Sequence, residues 1–389
     1  MRILPAALIL VLAAISLVHA VPDICAQVTT LGYPCEHHNV TTDDGFVLGA
    51  IRIPPKNGAA GAYPVFLQHG LLDSAITWVM NYFPQQNLAC MLHDAGYDVW
   101  MGNSRGNTYS SDNTKMSPSD QKYWDSIDMD FMAKYDLPAH IDYVLAATNY
   151  TTLTWVGHSQ GTWQAFSAFS TSNRQYAAKV DLFVALAPVA YVAHQSSILL
   201  GILATLDVDG IVALFGVKSF LMNDWLIHAI SAVCKDQGIN CDNILAIICG
   251  GANMTNINST QMYTLTKYDP GGTSVNNMIH WAQEIRNKDY AYHDWGILNP
   301  YFYNGSSTAP QYNLAGYAGP KVALYWGGDD DLADPTDVQT IISTIPSQYI
   351  VENVGLPGYG HLDFPWGLDA GVRLYPDILN AIKKYAQTK

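Results

Sequence analysis

The sequence predicts an α/β fold: a mostly parallel central sheet flanked by helices, interrupted late in the chain by an inserted, mainly helical layer. Three observations carry this reading. Along most of the chain, β-prone apolar runs alternate with segments of helical spacing, the pattern of parallel strands joined by crossover helices. One such run, Leu153 to Val156, leads through Gly157-His158-Ser159-Gln160-Gly161 directly into the helix-like stretch Thr162 to Ser170. From Pro188 to about Gly316 the pattern changes to apolar residues at helical spacing, rich in Asn and Tyr, with no strand of the core type.

Taken in order, the chain begins with Arg2, an apolar run from Ile3 to Val18 and a small-residue site ending at Ala20. The run is too short to span a bilayer and ends like a cleavage site, so residues 1–20 read as a secretory signal peptide. Residues 21–189 then read as the first part of the core, 190–316 as an inserted cap and 317–389 as the second part of the core. Strands are expected at Gly49 to Pro54, Tyr63 to Gln68, Tyr97 to Met101, Asn149 to Val156, Val180 to Leu186 and Lys321 to Trp326. In the cap, Ser196 to Leu206 is apolar but is followed by Asp207 and Asp209. It predicts a buried or lipid-facing helix, and no transmembrane anchor is expected.

Lys and Arg number 19 against 33 Asp and Glu, a formal charge of −14. No basic cluster is present to neutralise phosphates, which argues against nucleic acid and against attraction to anionic headgroups. Any lipid contact must therefore be apolar. The region from Ile198 to Phe220 offers it, with Leu199, Leu200, Ile202, Leu203, Ile211, Leu214 and Phe215 among few charges. Part of this surface is expected to open onto lipid.

Five Asn-x-Ser/Thr triplets, at Asn39, Asn149, Asn253, Asn258 and Asn304, are glycosylation candidates in a chain routed to the secretory pathway. Six cysteines are too few for a disulfide scaffold, but an oxidising compartment lets some pair. Cys25 with Cys35 and Cys234 with Cys241 stand out by their short spacing; Cys90 and Cys249, in apolar helix-like surroundings, read as buried free thiols.

The chemistry centres on Gly157-His158-Ser159-Gln160-Gly161. A Gly-x-Ser-x-Gly sequence between a strand and a helix is the nucleophile elbow of the α/β-hydrolase fold, where the serine sits on a strained turn and side chains at the glycine positions would strike neighbouring backbone. A serine hydroxyl needs a base oriented by a carboxylate, and in this fold both follow the serine, the acid before the histidine. Of twelve histidines, His361 is the candidate, on the Gly-rich loop Gly358-Tyr359-Gly360-His361 near the C-terminus. His158 reads as a packing residue. The acid belongs after the strand Val322 to Trp326, where Asp329, Asp330, Asp331 and Asp334 all stand, and the residues alone do not choose among them. Two backbone N–H groups must receive the developing oxyanion. Gln160 follows the nucleophile and supplies one, and Leu71, in His69-Gly70-Leu71-Leu72 after an early strand, supplies the other.

With these residues on the page, the sequence resembles the acid lipase family: the gastric, lysosomal and lingual lipases with their plant and insect relatives. The resemblance runs over essentially the whole mature chain. It is carried by Gly32-Tyr33-Pro34-Cys35-Glu36, Leu67 to Leu72, Asp98 to Gly106, Gly157 to Gly161, Gly327 to Pro335 and His361-Leu362-Asp363-Phe364. It implies Asp330 as the triad acid, with Asp331 the neighbouring alternative. It also implies a cap disulfide matching Cys234 and Cys241, and an N-terminal one like Cys25 with Cys35 in the plant-type members. The implied activity is hydrolysis of triacylglycerols or sterol esters without metal or organic cofactor. A monomer, secreted or delivered to the lysosomal or vacuolar lumen through the secretory pathway, is expected. A carboxylesterase of small soluble esters and a non-catalytic lipid-binding protein are the competing readings, the latter disfavoured by intact Ser159, Asp330 and His361.

Overall fold

The computed structural model describes residues 21–58, 61–171, 174–205, 218–220, 254–258 and 271–386. The expected signal peptide, Cys234, Cys241, Cys249, Asn253 and most of the apolar cap segment after Thr205 lie outside the described residues.

The sheet is built of β1 (Glu36–Thr41), β2 (Phe46–Ile53), β3 (Pro64–Gln68), β4 (Asp98–Gly102), the two-residue β5 (Asp112–Asn113), β6 (Leu153–His158) and β7 (Val180–Leu186). After a separate small antiparallel pair, β8 (Ser219–Phe220) with β9 (Thr273–Ser274), it is completed by β10 (Lys321–Gly327) and β11 (Ile350–Leu356). The strand order is β1-β2-β4-β3-β6-β7-β10-β11, with β5 on β2. Strands from β4 to β11 along this path pair in parallel, whereas β1 and β2 are antiparallel to their neighbours. The parallel strands β3, β4 and β6 are buried at every residue, as strands covered by helices on both faces must be.

All six expected strands form, Val180–Leu186 with the expected ends and the other five with shifted ones. The largest shift is at β6, which starts at Leu153 and not at Asn149. Asn149 ends the helix Leu137–Thr148 in the left-handed conformation, φ 56°, a position Asn tolerates and a strand excludes. Sequence reading also passes over β1 and β11, whose side chains alternate in exposure and form no continuous apolar run. The helix Gln160–Ser170, which follows β6, is buried over its whole length. The expected helix at Ser196 to Leu206 is present as Ile198–Thr205. It packs against the long helix Val275–Asn287, begun by Ser274, whose hydroxyl accepts the N–H of Asn277. Leu200 and Phe220 are buried, so for these two residues the packing role holds. Among the described residues no helix is long and apolar enough to cross a membrane.

Arg105, at the end of β4, is wholly buried and ties three segments together. Its Nε donates to Asp136 Oδ1 at 2.7 Å, and its Nη1 and Nη2 donate to Asp44 at 2.7 and 3.0 Å. The expected Cys25–Cys35 disulfide is present, spanning 10 residues of sequence, and Cys90 is free and buried. Closing a loop of that length restricts the unfolded chain by about 2–3 kcal/mol. The double substitution Cys25→Ala with Cys35→Ala is therefore expected to lower the midpoint of thermal unfolding by several degrees. An unchanged midpoint in calorimetry would show that the bridge adds nothing to stability.

Candidate active site

β6 delivers the elbow. Ser159 follows its last residue with φ 54° and ψ −121°, a backbone conformation that L residues adopt only under constraint. The constraint is close packing: a Cβ on Gly157 would lie 2.6 Å from the carbonyl oxygen of Gly161, and one on Gly161 would lie 2.5 Å from that of Gln68. Both glycines are thus required by approach of neighbouring backbone. Gly161→Ala is expected to displace the elbow from the end of β3 and to reduce ester turnover roughly a hundredfold, the usual consequence of an ångström of misplacement. Activity close to wild type in a folded variant would contradict this reading of the packing.

Ser159 Oγ donates to His361 Nε2 at 2.8 Å. His361 Nδ1 lies 3.0 Å from both oxygens of Asp330, and all three side chains are buried. The order of hydrogen bonds fixes the tautomer, with Nδ1–H given to the carboxylate and Nε2 left to accept the serine proton. Burial alone would raise the Asp330 carboxyl, but the His361 imidazole and the N–H groups of Leu332 and Ala333 more than reverse this and hold it below its ordinary value. It therefore stays ionised into acid solution.

The structure separates the four aspartates. Asp329 is exposed on the turn, Asp331 Oδ1 accepts the hydroxyl of Ser196, and Asp334 caps the helix Pro335–Thr344. Only Asp330 faces His361. The two loops are fastened to each other by Gly328 N–H to Leu356 O and Asp329 N–H to Tyr359 O, both 3.0 Å.

Gln160 and Leu71, the expected oxyanion donors, lie on the two segments that meet at Ser159. Gln160 is the first residue of its helix, where the N–H has no partner within the helix. A Cβ on Gly70 would come within 3.0 Å of Ser159 Cβ and 3.4 Å of its Oγ, so the loop carrying Leu71 passes directly beside Ser159. The Gly70 carbonyl accepts His69 Nδ1–H at 2.7 Å, while His69 Nε2 accepts the Ser104 N–H at 3.0 Å. Because C=O and N–H point oppositely across a trans peptide, this bond also sets the direction of the Leu71 N–H.

Sequence reasoning missed four supporting side chains. His69 braces the Leu71 loop as described. His158 does more than pack: its Nε2–H donates to the main-chain oxygen of His361 at 3.0 Å, and burial, with His361 nearby, pushes its pKa down to about 3 so that it stays neutral. Asp363 Oδ2 accepts the Gly360 N–H at 2.6 Å, steadying the loop before His361. The Gln160 side chain accepts from Trp281 Nε1 and Asn277 Nδ2 of the helix Val275–Asn287. The position of His158 beside Ser159 was the one available signal; His69 and Gln160 depend on contacts between distant segments, and Asp363 on the local turn of its loop.

Comparison with known proteins agrees with this geometry. A family model described as alpha/beta hydrolase fold matches residues 63–368, and one described as a partial alpha/beta-hydrolase lipase region matches 23–82. Human gastric triacylglycerol lipase is 40% identical over 371 residues, covering 93% of this chain and 91% of its own. Human lysosomal acid lipase/cholesteryl ester hydrolase is 40% identical over 362 residues, covering 91% and 89%. Among solved structures, a soluble variant of monoglyceride lipase from Saccharomyces cerevisiae shares the fold, with a TM-score of 0.57 at 16% identity, covering 92% of this chain and 96% of its own. The chain belongs to the acid lipases of the α/β-hydrolase fold, the family of the gastric and lysosomal enzymes.

Proposed function

We propose that this protein hydrolyses the ester bonds of neutral lipids, triacylglycerols or sterol esters, with Ser159 as nucleophile, His361 as general base and acid, and Asp330 as the group that orients it. The observation that carries the reading is the unbroken chain of hydrogen bonds from Ser159 Oγ through His361 to Asp330. As Ser159 Oγ attacks the ester carbonyl, its proton passes to His361 Nε2, and the imidazolium is stabilised by Asp330. The carbonyl oxygen, now an anion, receives the N–H groups of Leu71 and Gln160. Collapse expels the alcohol with the proton from His361, and water, activated by the same nitrogen, releases the fatty acid from the acyl-enzyme. No step calls for a metal or organic cofactor.

The substrate class follows the gastric and lysosomal relatives, whose names specify triacylglycerol and cholesteryl ester. In this reading residues 190–316 form a cap over the site, and the protein acts as a single chain at a lipid–water interface. It works in a secreted or lysosomal setting, where Cys234 and Cys241 pair. Asn39, Asn149 and Asn304 are exposed and suited to carry glycans. A panel of emulsified long-chain triacylglycerol, cholesteryl ester and a soluble short-chain ester is the test. Hydrolysis of at least one long-chain substrate is expected. Hydrolysis confined to the soluble ester would replace the lipase reading with that of a carboxylesterase.

A further inference from the structure

Asp128, His280 and His293 take no part in the Ser159 hydrogen-bond chain, yet their side chains converge inside the protein. Their exposures are 0%, 0% and 3%. Asp128 Oδ2 lies 3.5 Å from His293 Nδ1, and one donor atom from each of the three residues lies within 4.8 Å of the others. His280 Nε2–H donates to the Ala291 carbonyl at 3.0 Å, which leaves its Nδ1 with a lone pair and no proton. The Nδ1 atoms of His280 and His293 are both buried without a hydrogen-bond partner. Buried polar atoms are seldom left so, and two imidazole nitrogens beside a carboxylate are a set of donors that a cation would satisfy together.

We propose that Asp128, His280 and His293 form a binding site for one divalent transition-metal cation, zinc by the nature of its donors: two imidazole nitrogens and a carboxylate oxygen. The surrounding contacts suit the role, since metal ligands are normally held by outer hydrogen bonds. Asp128 Oδ1 accepts the Phe131 N–H at 3.1 Å, and Asn276 Nδ2 donates to Oδ2 at 3.3 Å. The main-chain N–H of His293 donates to Asp130 Oδ2 at 2.9 Å. A cavity of about 450 Å³, also lined by Asp125, Asn276 and Asp294, reaches His293 and would supply a water as the fourth ligand. Ligand atoms up to 4.8 Å apart would draw together on binding, because tetrahedral zinc holds its ligands at about 2.0–2.2 Å.

The ion is structural in this proposal. It fastens Asp128, at the start of a core helix, to His280 on the helix Val275–Asn287 and to His293 in the loop beyond it. That helix also supplies Asn277 and Trp281, which hold the Gln160 side chain, so the ion would steady the segment next to the elbow.

The test uses the full secreted protein, stripped with a chelator and then titrated with zinc chloride while metal content and thermal unfolding are followed. About one equivalent of zinc should be retained, and the unfolding midpoint should rise by about 3 °C at a hundredfold excess over Kd. His293→Gln and Asp128→Asn should abolish both effects. His194→Gln, in the more exposed His194, Asp334 and Asp337 cluster, should abolish neither. Zinc retained by His293→Gln, or a stripped wild type that takes up no zinc and shows no shift, would overturn the proposal and leave a proton shared between Asp128 and His293. Should the variants not fold, cobalt substitution in the wild type decides: intense visible bands of a four-coordinate site support the proposal, and their absence refutes it.

Discussion

Ser159→Ala is expected to fold as the wild type does and to lose ester hydrolysis by a factor on the order of 10⁶ in kcat. The substitution removes one hydroxyl, whose hydrogen bond is to His361, and retains the Cβ that the elbow already accommodates. The backbone around Gly157 and Gly161, the Leu71 loop and the buried helix after the elbow do not depend on that oxygen. The loss should therefore appear in turnover, with circular dichroism and the unfolding midpoint nearly unchanged. Turnover within tenfold of wild type would remove the nucleophile from the proposed function.

Asp330→Asn is expected to lower kcat on the order of 10⁴-fold, through the tautomer of His361. Asp330 Oδ1 accepts the N–H groups of Leu332 and Ala333 at 2.9 and 2.8 Å. In the variant these donors hold the amide oxygen in place, which turns the NH2 group toward His361 Nδ1. The imidazole must then carry its proton on Nε2, where it cannot take the proton of Ser159. Asp331→Asn touches only the side-chain bond to Ser196 and should change turnover about twofold or less, within the roughly 0.5 kcal/mol typical of peripheral substitutions. The reverse result in a steady-state assay on a soluble ester would place the triad acid one residue further along.

What could be read from the sequence and what could not divide along physical lines. The strands β3, β4, β7 and β10 are legible because residues buried on both faces of a parallel sheet leave nearly continuous apolar runs. β1 and β11 lie at the two ends of the sheet, where one face meets solvent and short alternating patterns resemble loops. The elbow is legible because its chemistry is local: strand, two glycines and serine within a few positions. His361 is legible from chain order and its Gly-rich loop. Asp330 is different, since four acids share one turn and only the family register separates them before the fold does.

The supports of the site were illegible for the opposite reason. His69 acts through Ser104, Asp363 through Gly360, and Gln160 through Asn277 and Trp281; in the first and last of these the partners are far apart in the chain. The cluster of Asp128, His280 and His293 shows this most clearly. Its residues follow no ligand spacing, and only the packing of the helix Val275–Asn287 against the core brings them together.

The central claim, that Ser159 is a nucleophile activated by His361, is tested most directly by a serine-reactive fluorophosphonate with the labelled position located by mass spectrometry. The account predicts one covalent adduct per chain on Ser159, absent from Ser159→Ala and formed orders of magnitude more slowly in His361→Ala. No adduct on a folded, ester-hydrolysing wild type, or an adduct on a different serine, would contradict it.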